Sequence, residues 1–537
     1  MNLIAGRFRV WLFPTLFTLV AGGAAWAAEP DTRVAQAASQ QDASIVKSLI
    51  QSHADVNGAQ NDGTTAALWA AYYSNLEIER LLVAAGAKVN IPNREGVSPL
   101  LQAARLGNAP IVELLLKAGA DPKTANPDGE TALMAASGAG SLEAVKLLLA
   151  RGADPNAREH VGDQTALMWA SIGGDLPVVQ ALLKAGADPN AAAEVSPLSA
   201  NSSGDAAGRS WVSHATGGFT ALMFAARQGQ IDAAQALLDG GAKPNYATPD
   251  GLTALIIAVI NDRLDLAAMM INKGANPNDG SLYEAVQMHN TRLIEQNNDA
   301  TRPKIWHENK TSPLDLISLL MDHGALPGRV ATHAINVPGV NGGLKGIAQP
   351  ANASAYTRAL QLQDVAVVKL MLAKGADPNA ADNGTLPLAT VMAGGGGGRG
   401  GVFGVRASPL RFESERSVEG TVNALVGAGA SVTAADRTGN TPLHAAAQSG
   451  NVAMIQLLVE RGAKLDAKNN GGFMPLDLAM GKGAPPPPPG GGGFGRGGPQ
   501  PRPEAIVELR KLMGLPPLSP EEMPKAAPGR GGPLGGM

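Results

Sequence analysis

The chain has 537 residues, of which 45% are hydrophobic, 17% charged and only 4% aromatic, while 66 glycines and 38 prolines supply helix and strand breakers throughout. That breaker content is high for a globular chain, and the absence of cysteine excludes disulfide frameworks, thiolate metal sites, c-type haem attachment and cysteine nucleophiles. A net charge of -3 argues against a chain that coats nucleic acid, which carries a basic excess.

In chain order, the first segment concerns transport. Arg7 and Arg9 precede an apolar run from Val10 to Ala21, and Ala25-Trp26-Ala27 supplies small residues around a cleavage point. These three parts make a secretory signal peptide over 1–27. An apolar run of about twelve residues is too short to span a bilayer comfortably. The mature chain is therefore expected to be soluble, without a membrane segment, and periplasmic or secreted. Lack of cysteine suits an oxidising compartment.

Beyond residue 30 a repeat takes over. Gly-Ala recurs at Gly86, Gly119, Gly152 and Gly186, then at Gly241, Gly274, Gly324, Gly375, Gly429 and Gly462, followed by a polar residue except at Gly324, with close neighbours 33 or 34 apart. A second motif opens the units: Gly129-Glu130-Thr131-Ala132-Leu133, Gly218-Phe219-Thr220-Ala221-Leu222, Gly251-Leu252-Thr253-Ala254-Leu255 and Gly439-Asn440-Thr441-Pro442-Leu443-His444. Threonine caps free backbone donors, and proline is tolerated in the first turn, so this motif starts a short helix. A second helix follows, with apolar residues at Val145, Leu148 and Leu149 or at Ile455, Leu458 and Val459, the spacing of one buried face. Gly152 and Gly462 then stop it in a left-handed cap. A unit this small buries its apolar face only against neighbours.

The period, the Thr-Pro/Ala-Leu opening and the Gly-Ala-Asp-Pro-Asn ending at Gly152–Asn156 resemble the ankyrin repeat, over about residues 31 to 514. The resemblance implies an all-α ankyrin-repeat solenoid of about eleven to twelve units. Wider glycine spacings place five insertions, at 191–216, 289–310, 326–352, 394–417 and 483–503. Those at 191–216 and 326–352 lie between units; the other three separate the first and second helix of one unit. Weak openings after Gly280 and at Ser354 suggest two blocks, 28–278 and 279–514, followed by a Pro/Gly-rich tail at 515–537. Glycine-rich stretches around Arg399, Arg496 and Arg530 read as solvated loops, with few arginines and little aromatic interleaving for RNA. Trp211 and Trp306 either fold back onto the solenoid or meet a partner.

Catalytic signatures are sparse. The eight histidines, His53, His160, His214, His289, His307, His323, His333 and His444, show no paired metal spacing. His444 holds the family's Thr-Pro-Leu-His position, where the resemblance implies a bond between adjacent units. Asp121, Asp154, Asp188 and Asp377 recur at the period and read as turn caps. No cofactor or metal is expected.

What remains is a surface. The resemblance implies a concave groove, formed by hairpin tips and the exposed ends of first helices, that grips protein partners. Carried over to this sequence, its contact positions are Tyr72, Tyr73, Arg94, Glu95, Arg105, Leu106, Asp128, Glu130, Ile172, Phe219, Arg227 and Gln228. Tyrosine and arginine are favoured hot-spot residues, so Tyr72, Tyr73, Arg105 and Arg227 stand out, while Trp69 and Trp169 are placed in the packing between units. The expected function is a non-enzymatic exported scaffold, monomeric, that binds protein and not nucleic acid or membrane. The alternative is an enzyme or small-ligand receptor whose site is built by the insertions between 280 and 417, from His289, Asp299, His307, Glu308, His323 and His333.

Overall fold

The computed structural model describes residues 31–196, 216–295, 308–330, 335–337, 346–349, 353–382, 384–394, 417–482 and 501–524. The leader at 1–27, Trp211, Trp306, His214, His307, His333, Asp299 and the three Gly-Arg-Gly tracts lie outside these residues, as do most of the insertions and of the tail.

Helices come in consecutive pairs. The first five pairs are α1 (Arg33–Ser39) with α2 (Ala43–Gln51), α3 (Ala66–Tyr72) with α4 (Leu76–Ala84), α5 (Pro99–Arg105) with α6 (Ala109–Lys117), α7 (Ala132–Gly138) with α8 (Leu142–Ala150), and α9 (Ala166–Gly173) with α10 (Leu176–Lys184). Then follow α11 (Ala221–Gln228) with α12 (Ile231–Asp239), α13 (Ala254–Ile260) with α14 (Leu264–Asn272), α15 (Ser281–Glu295) with α16 (Pro313–Asp322), and α17 (Ala355–Leu362) with α18 (Val365–Ala373). The last are α19 (Pro387–Gly394) with α20 (Val418–Gly427), α21 (Pro442–Ser449) with α22 (Val452–Glu460), and α23 (Pro475–Ala479) with α24 (Pro503–Leu512). Among the described residues this makes twelve units, stacked first helix on first helix and second on second. The architecture is an all-α solenoid. Two short antiparallel ribbons decorate it between units, β1 (Val195–Ser196) with β2 (Thr216–Gly217) and β3 (Ile335–Val337) with β4 (Gly346–Gln349).

Local chemistry sets each unit. Side-chain oxygens of Thr65, Ser98, Thr131, Thr165 and Thr253 accept from the backbone amide three residues on and so start the first helices. Asp42, Asn75, Asn108 and Asn451 do the same for second helices. The terminating glycines take left-handed backbone; at Gly119, φ is +90° and an added Cβ would meet nothing within 4 Å. Glycine is thus required there for conformation and not for space.

Units are then tied in register by an asparagine ladder. Asn90 donates to the Gly119 carbonyl at 2.9 Å and accepts from the Asp121 amide at 2.9 Å. Asn156 repeats this with Gly186 and Asp188, Asn190 with Gly241 and Lys243, and Asn379 with Gly429 and Ser431. The recurrent aspartates orient the ladder: Asp154 accepts from the Asn156 amide and Asp188 from that of Asn190, both at 2.9 Å. His444 bonds its own cap, Thr441, through Nδ1 and reaches the Phe473 carbonyl of the next unit through Nε2 at 3.0 Å.

Two expectations about boundaries are corrected. The insertion placed at 289 starts later, because α15 runs on to Glu295: buried His289 pairs with Asp364 through Nδ1 at 2.6 Å and holds the extra turns against the following unit. Nor does the core divide at 278/279. A single apolar cluster extends from Leu68 to Leu509, and α15 packs between α13 and α17 like any other first helix. The discontinuity in apolar packing lies instead near the N-terminus, where a separate, alanine-rich cluster joins α1, α2, α3 and α4 through Val34, Val46, Ala66, Ala70, Ile78 and Leu82.

Two outcomes are expected. Gly119→Ala forces an L-residue into left-handed backbone and lowers stability by about 1–2 kcal/mol, measurable by urea unfolding and confined by amide exchange to the units around α6. Burial pushes the His444 imidazole below its usual pKa, so the folded chain binds it neutral. The unfolded chain takes up the proton first, so this contribution is present above about pH 6.5 and is lost as pH falls through the lower folded value. Amide exchange over α21–α23 accelerates in mild acid, and His444→Gln flattens that response.

Candidate functional site

First helices present two rows of side chains in register along the stack. Four residues after the cap stand Trp69, Gln102, Ala135, Trp169, Phe224 and Ile257; three residues further on stand Tyr72, Arg105, Gly138, Ile172, Arg227 and Ile260. The three-residue step puts both on one helix face.

The N-terminal end of these rows is aromatic. Trp69 stacks on Tyr73 with centroids 5.7 Å apart and planes 16° from parallel, and Tyr72 stands edge-on to both at 5.7 and 5.0 Å. Trp69 Nε1 donates to Gln60 at 3.0 Å, which fixes the indole. Tyr72 is 54% exposed, Tyr73 38%, and Leu106 on the next first helix 50%. Trp69, expected in the packing between units, is half-buried and packs against the N-terminal cluster, and its exposed part backs the two tyrosines. Its spacing of three and four residues from the tyrosines was the signal for this. Trp169 is half-buried too and packs against the core, with its ring over Gly138: a Cβ there would lie 3.0 Å from the indole.

Arg105 is less free than its position implies. Its guanidinium forms a forked pair with Glu130, with Nε at 3.0 Å from Oε1 and a second bond to Oε2, and this links the third unit to the hairpin of the fourth. Asn126 also donates to Glu130 at 3.1 Å, so both nominated residues are committed to each other and to the turn. Arg227 lies over the Phe224 ring, 5.4 Å from the centroid, and Phe219 meets the same ring at 5.6 Å. Phe224, absent from the nominated positions, is thus what brings Phe219 and Arg227 together; its i,i+3 relation to Arg227 was legible. Such a cation–π contact contributes about 0.5–1 kcal/mol where exposed.

Of the remaining nominated residues, Glu95 and Asp128 lie near enough to Arg105 to act on its charge, and the others are dispersed. Arg94 and Glu95 project from one hairpin tip, where the Arg94 amide donates to the Asp62 carbonyl at 2.8 Å, and exposed Asp128 receives the His160 amide at 2.6 Å on the next. Ile172 is half-buried against the core and Gln228 is half-buried. In the region of the alternative site, His289 is buried against Asp364, His323 closes α16, and Glu308 is exposed. Among the described residues no group of three or more His, Cys, Asp or Glu is arranged to hold a metal ion. No described helix is long and apolar enough to cross a membrane.

Comparison with known proteins gives the class. A family model for ankyrin repeats in three copies matches residues 34–126, 100–193 and 204–281, and a single ankyrin repeat matches 438–470. The chain belongs to the ankyrin-repeat family, an architecture of protein–protein interaction scaffolds. It is similar to a putative palmitoyltransferase of Danio rerio, 36% identical over 75 residues, and to an E3 ubiquitin-protein ligase of Arabidopsis thaliana, 33% identical over 79 residues. Each match covers 14% of this chain, and the chain covers only 12% and 5% of those relatives' own lengths. Those two names describe the relatives and carry no activity to this chain.

Because the Arg105 side chain is 37% exposed, its ion pair contributes only a modest, salt-screened stabilisation. Arg105→Ala is expected to cost no more than about 1 kcal/mol, and the difference in urea midpoint shrinks in molar salt.

Proposed function

We propose that this chain is an exported, non-catalytic, monomeric scaffold that holds a protein partner against the first-helix face of its solenoid. One observation supports this most: Tyr72, Tyr73 and Leu106 are large apolar side chains left exposed at the first-helix ends of two adjacent, packed units, and Trp69 backs the two tyrosines. Aromatic anchors that are held in place lose little conformational freedom on binding, which is why such residues dominate interface energetics. Hairpin tips bearing Arg94, Glu95 and Asp128 supply a charged rim, and the Phe219–Phe224–Arg227 group a second anchor further along the same row. Export rests on the basic, apolar and small-residue succession over 1–27. Binding needs no cofactor, nucleic acid or membrane in this reading.

Affinity capture from a periplasmic or secreted fraction, followed by titration of the captured partner, tests the assignment. A triple variant, Tyr72→Ala with Tyr73→Ala and Leu106→Ala, keeps its helical signal and unfolding midpoint, since these side chains are exposed, and binds at least about tenfold more weakly. Unchanged affinity in a folded triple variant removes the N-terminal surface from the site.

A further inference from the structure

Glu79 breaks a rule that its neighbouring units obey. It lies seven residues before the left-handed position that ends its second helix, a place filled by Val46, Val112, Val145 and Val179 in the flanking units, each fully buried. Glu79 is fully buried as well, and neither carboxylate oxygen has a hydrogen-bond partner. On α4 it shares a stripe with Leu76 and Val83, three and four residues away, which pack against the main core. Beside it, Ile78 and Leu82 belong to the separate N-terminal cluster. The carboxyl therefore sits where α4 meets the third unit, on the side of the joint that the main core leaves open, while Leu68 and Ala71 of α3 already belong to that core.

Among the described residues no charge compensates it, and burial alone acts on its carboxyl. The elements that pack most against α4 are α2, α3 and α6. Lys47 on α2 is exposed, α3 carries no charged side chain and its Tyr72 is exposed, and Glu113 and Lys117 on α6 pair with each other at 2.6 Å. On α4 itself Glu77 and Arg80 are exposed. A neutral carboxyl is tolerated in such a place at moderate cost, whereas an ionised one is not.

We propose that Glu79 is a proton-dependent latch: its neutral form closes the seam between the first two units and the remaining ten, and its ionisation lets those two units, with α1 to α4, open as one block. Burial pushes the Glu79 carboxyl up to about 8 from its ordinary 4.5. The closed form keeps the proton through the interval in which the opened form releases it, so its stabilisation is complete below about pH 4.5, falls through the window, and is gone above about 8. Each pH unit inside the window raises the open population about tenfold, roughly three orders of magnitude across it. Trp69, Tyr72 and Tyr73 ride on this block while Leu106 stays on the third unit. If the proposed groove reading holds, Leu106 therefore keeps its place beside the tyrosine-bearing unit only while the latch is closed.

Native-state amide exchange on the full chain, corrected for intrinsic exchange, reads the opening without any partner, so a failure of the groove reading leaves the result untouched. In the wild type, protection of α2 and α4 is expected to fall about tenfold per pH unit between roughly 5 and 8, while α8 stays flat. Glu79→Gln and Glu79→Val both remove the slope, and at pH 8 the valine variant protects α2 and α4 more strongly than the wild type. Neither variant threatens folding, since valine is what the neighbouring units carry. A flat wild-type profile, or the same slope in Glu79→Gln, overturns the latch.

Discussion

A pair of helices five to fifteen residues long cannot bury its apolar face alone, and the main features of this fold follow from the need to lean on a neighbour. The contact is made twice over. Aliphatic side chains such as Ile111, Val145 and Leu182 fill the space between units without a polar atom among them. The asparagine ladder then fixes register, since each rung accepts an amide and donates to a carbonyl that the next unit would otherwise leave unpaired at the end of its helix. Apolar burial supplies the stabilisation; the ladder supplies the alignment. Alignment in turn turns isolated side chains on successive first helices into rows.

Nearest-neighbour stability also explains what the stack tolerates. Three units are interrupted between their helices, yet α16, α20 and α24 still pack onto α14, α22 and α22. An extra loop in a linear array disturbs only the unit that carries it, and closing a longer loop adds little entropy. The lengthened α15 is held by a polar contact, His289 with Asp364, whose other carboxylate oxygen caps α18 at the Val367 amide. The same locality isolates the N-terminal pair of units, which has a small core of its own and a carboxyl at the joint. Weakness there stays there, so one end of the array opens without loss of the rest.

The surface inherits this mixture of rigidity and local adjustment. Arg105 and Glu130 satisfy one another across two units and so serve alignment more than recognition. Tyr72, Tyr73 and Leu106 have no such internal partner and keep much of their area in water, while Trp69 is anchored by Gln60 and braces them. Large residues on an exposed face are informative when they are contiguous and held, and less so when scattered.

Much of the fold was legible because its signals are local. The glycine period, the Thr-Pro/Ala-Leu openings and the three-and-four apolar spacing each describe a backbone state or a helix face within one unit, and helix caps need only residues three apart. About eleven to twelve units, and roughly where the long interruptions fall, follow from counting along the chain. What only the tertiary structure decided involves residues from different units or different faces. The sequence places Arg105 on an exposed helix end but does not show that Glu130, 25 residues later, occupies it. Trp69 and Trp169 hold the same position in their units and both lie half-buried against apolar cores; Trp169 sits over Gly138 of the preceding unit, whereas Trp69 also meets two tyrosines, stacked on Tyr73 and edge-on to Tyr72. Glu79 has the sequence appearance of a solvated helix charge among Glu77 and Arg80. Only the packing of α2, α3 and α6 around α4 makes it a buried, unpartnered acid, because burial is set by neighbours that the local sequence does not contain.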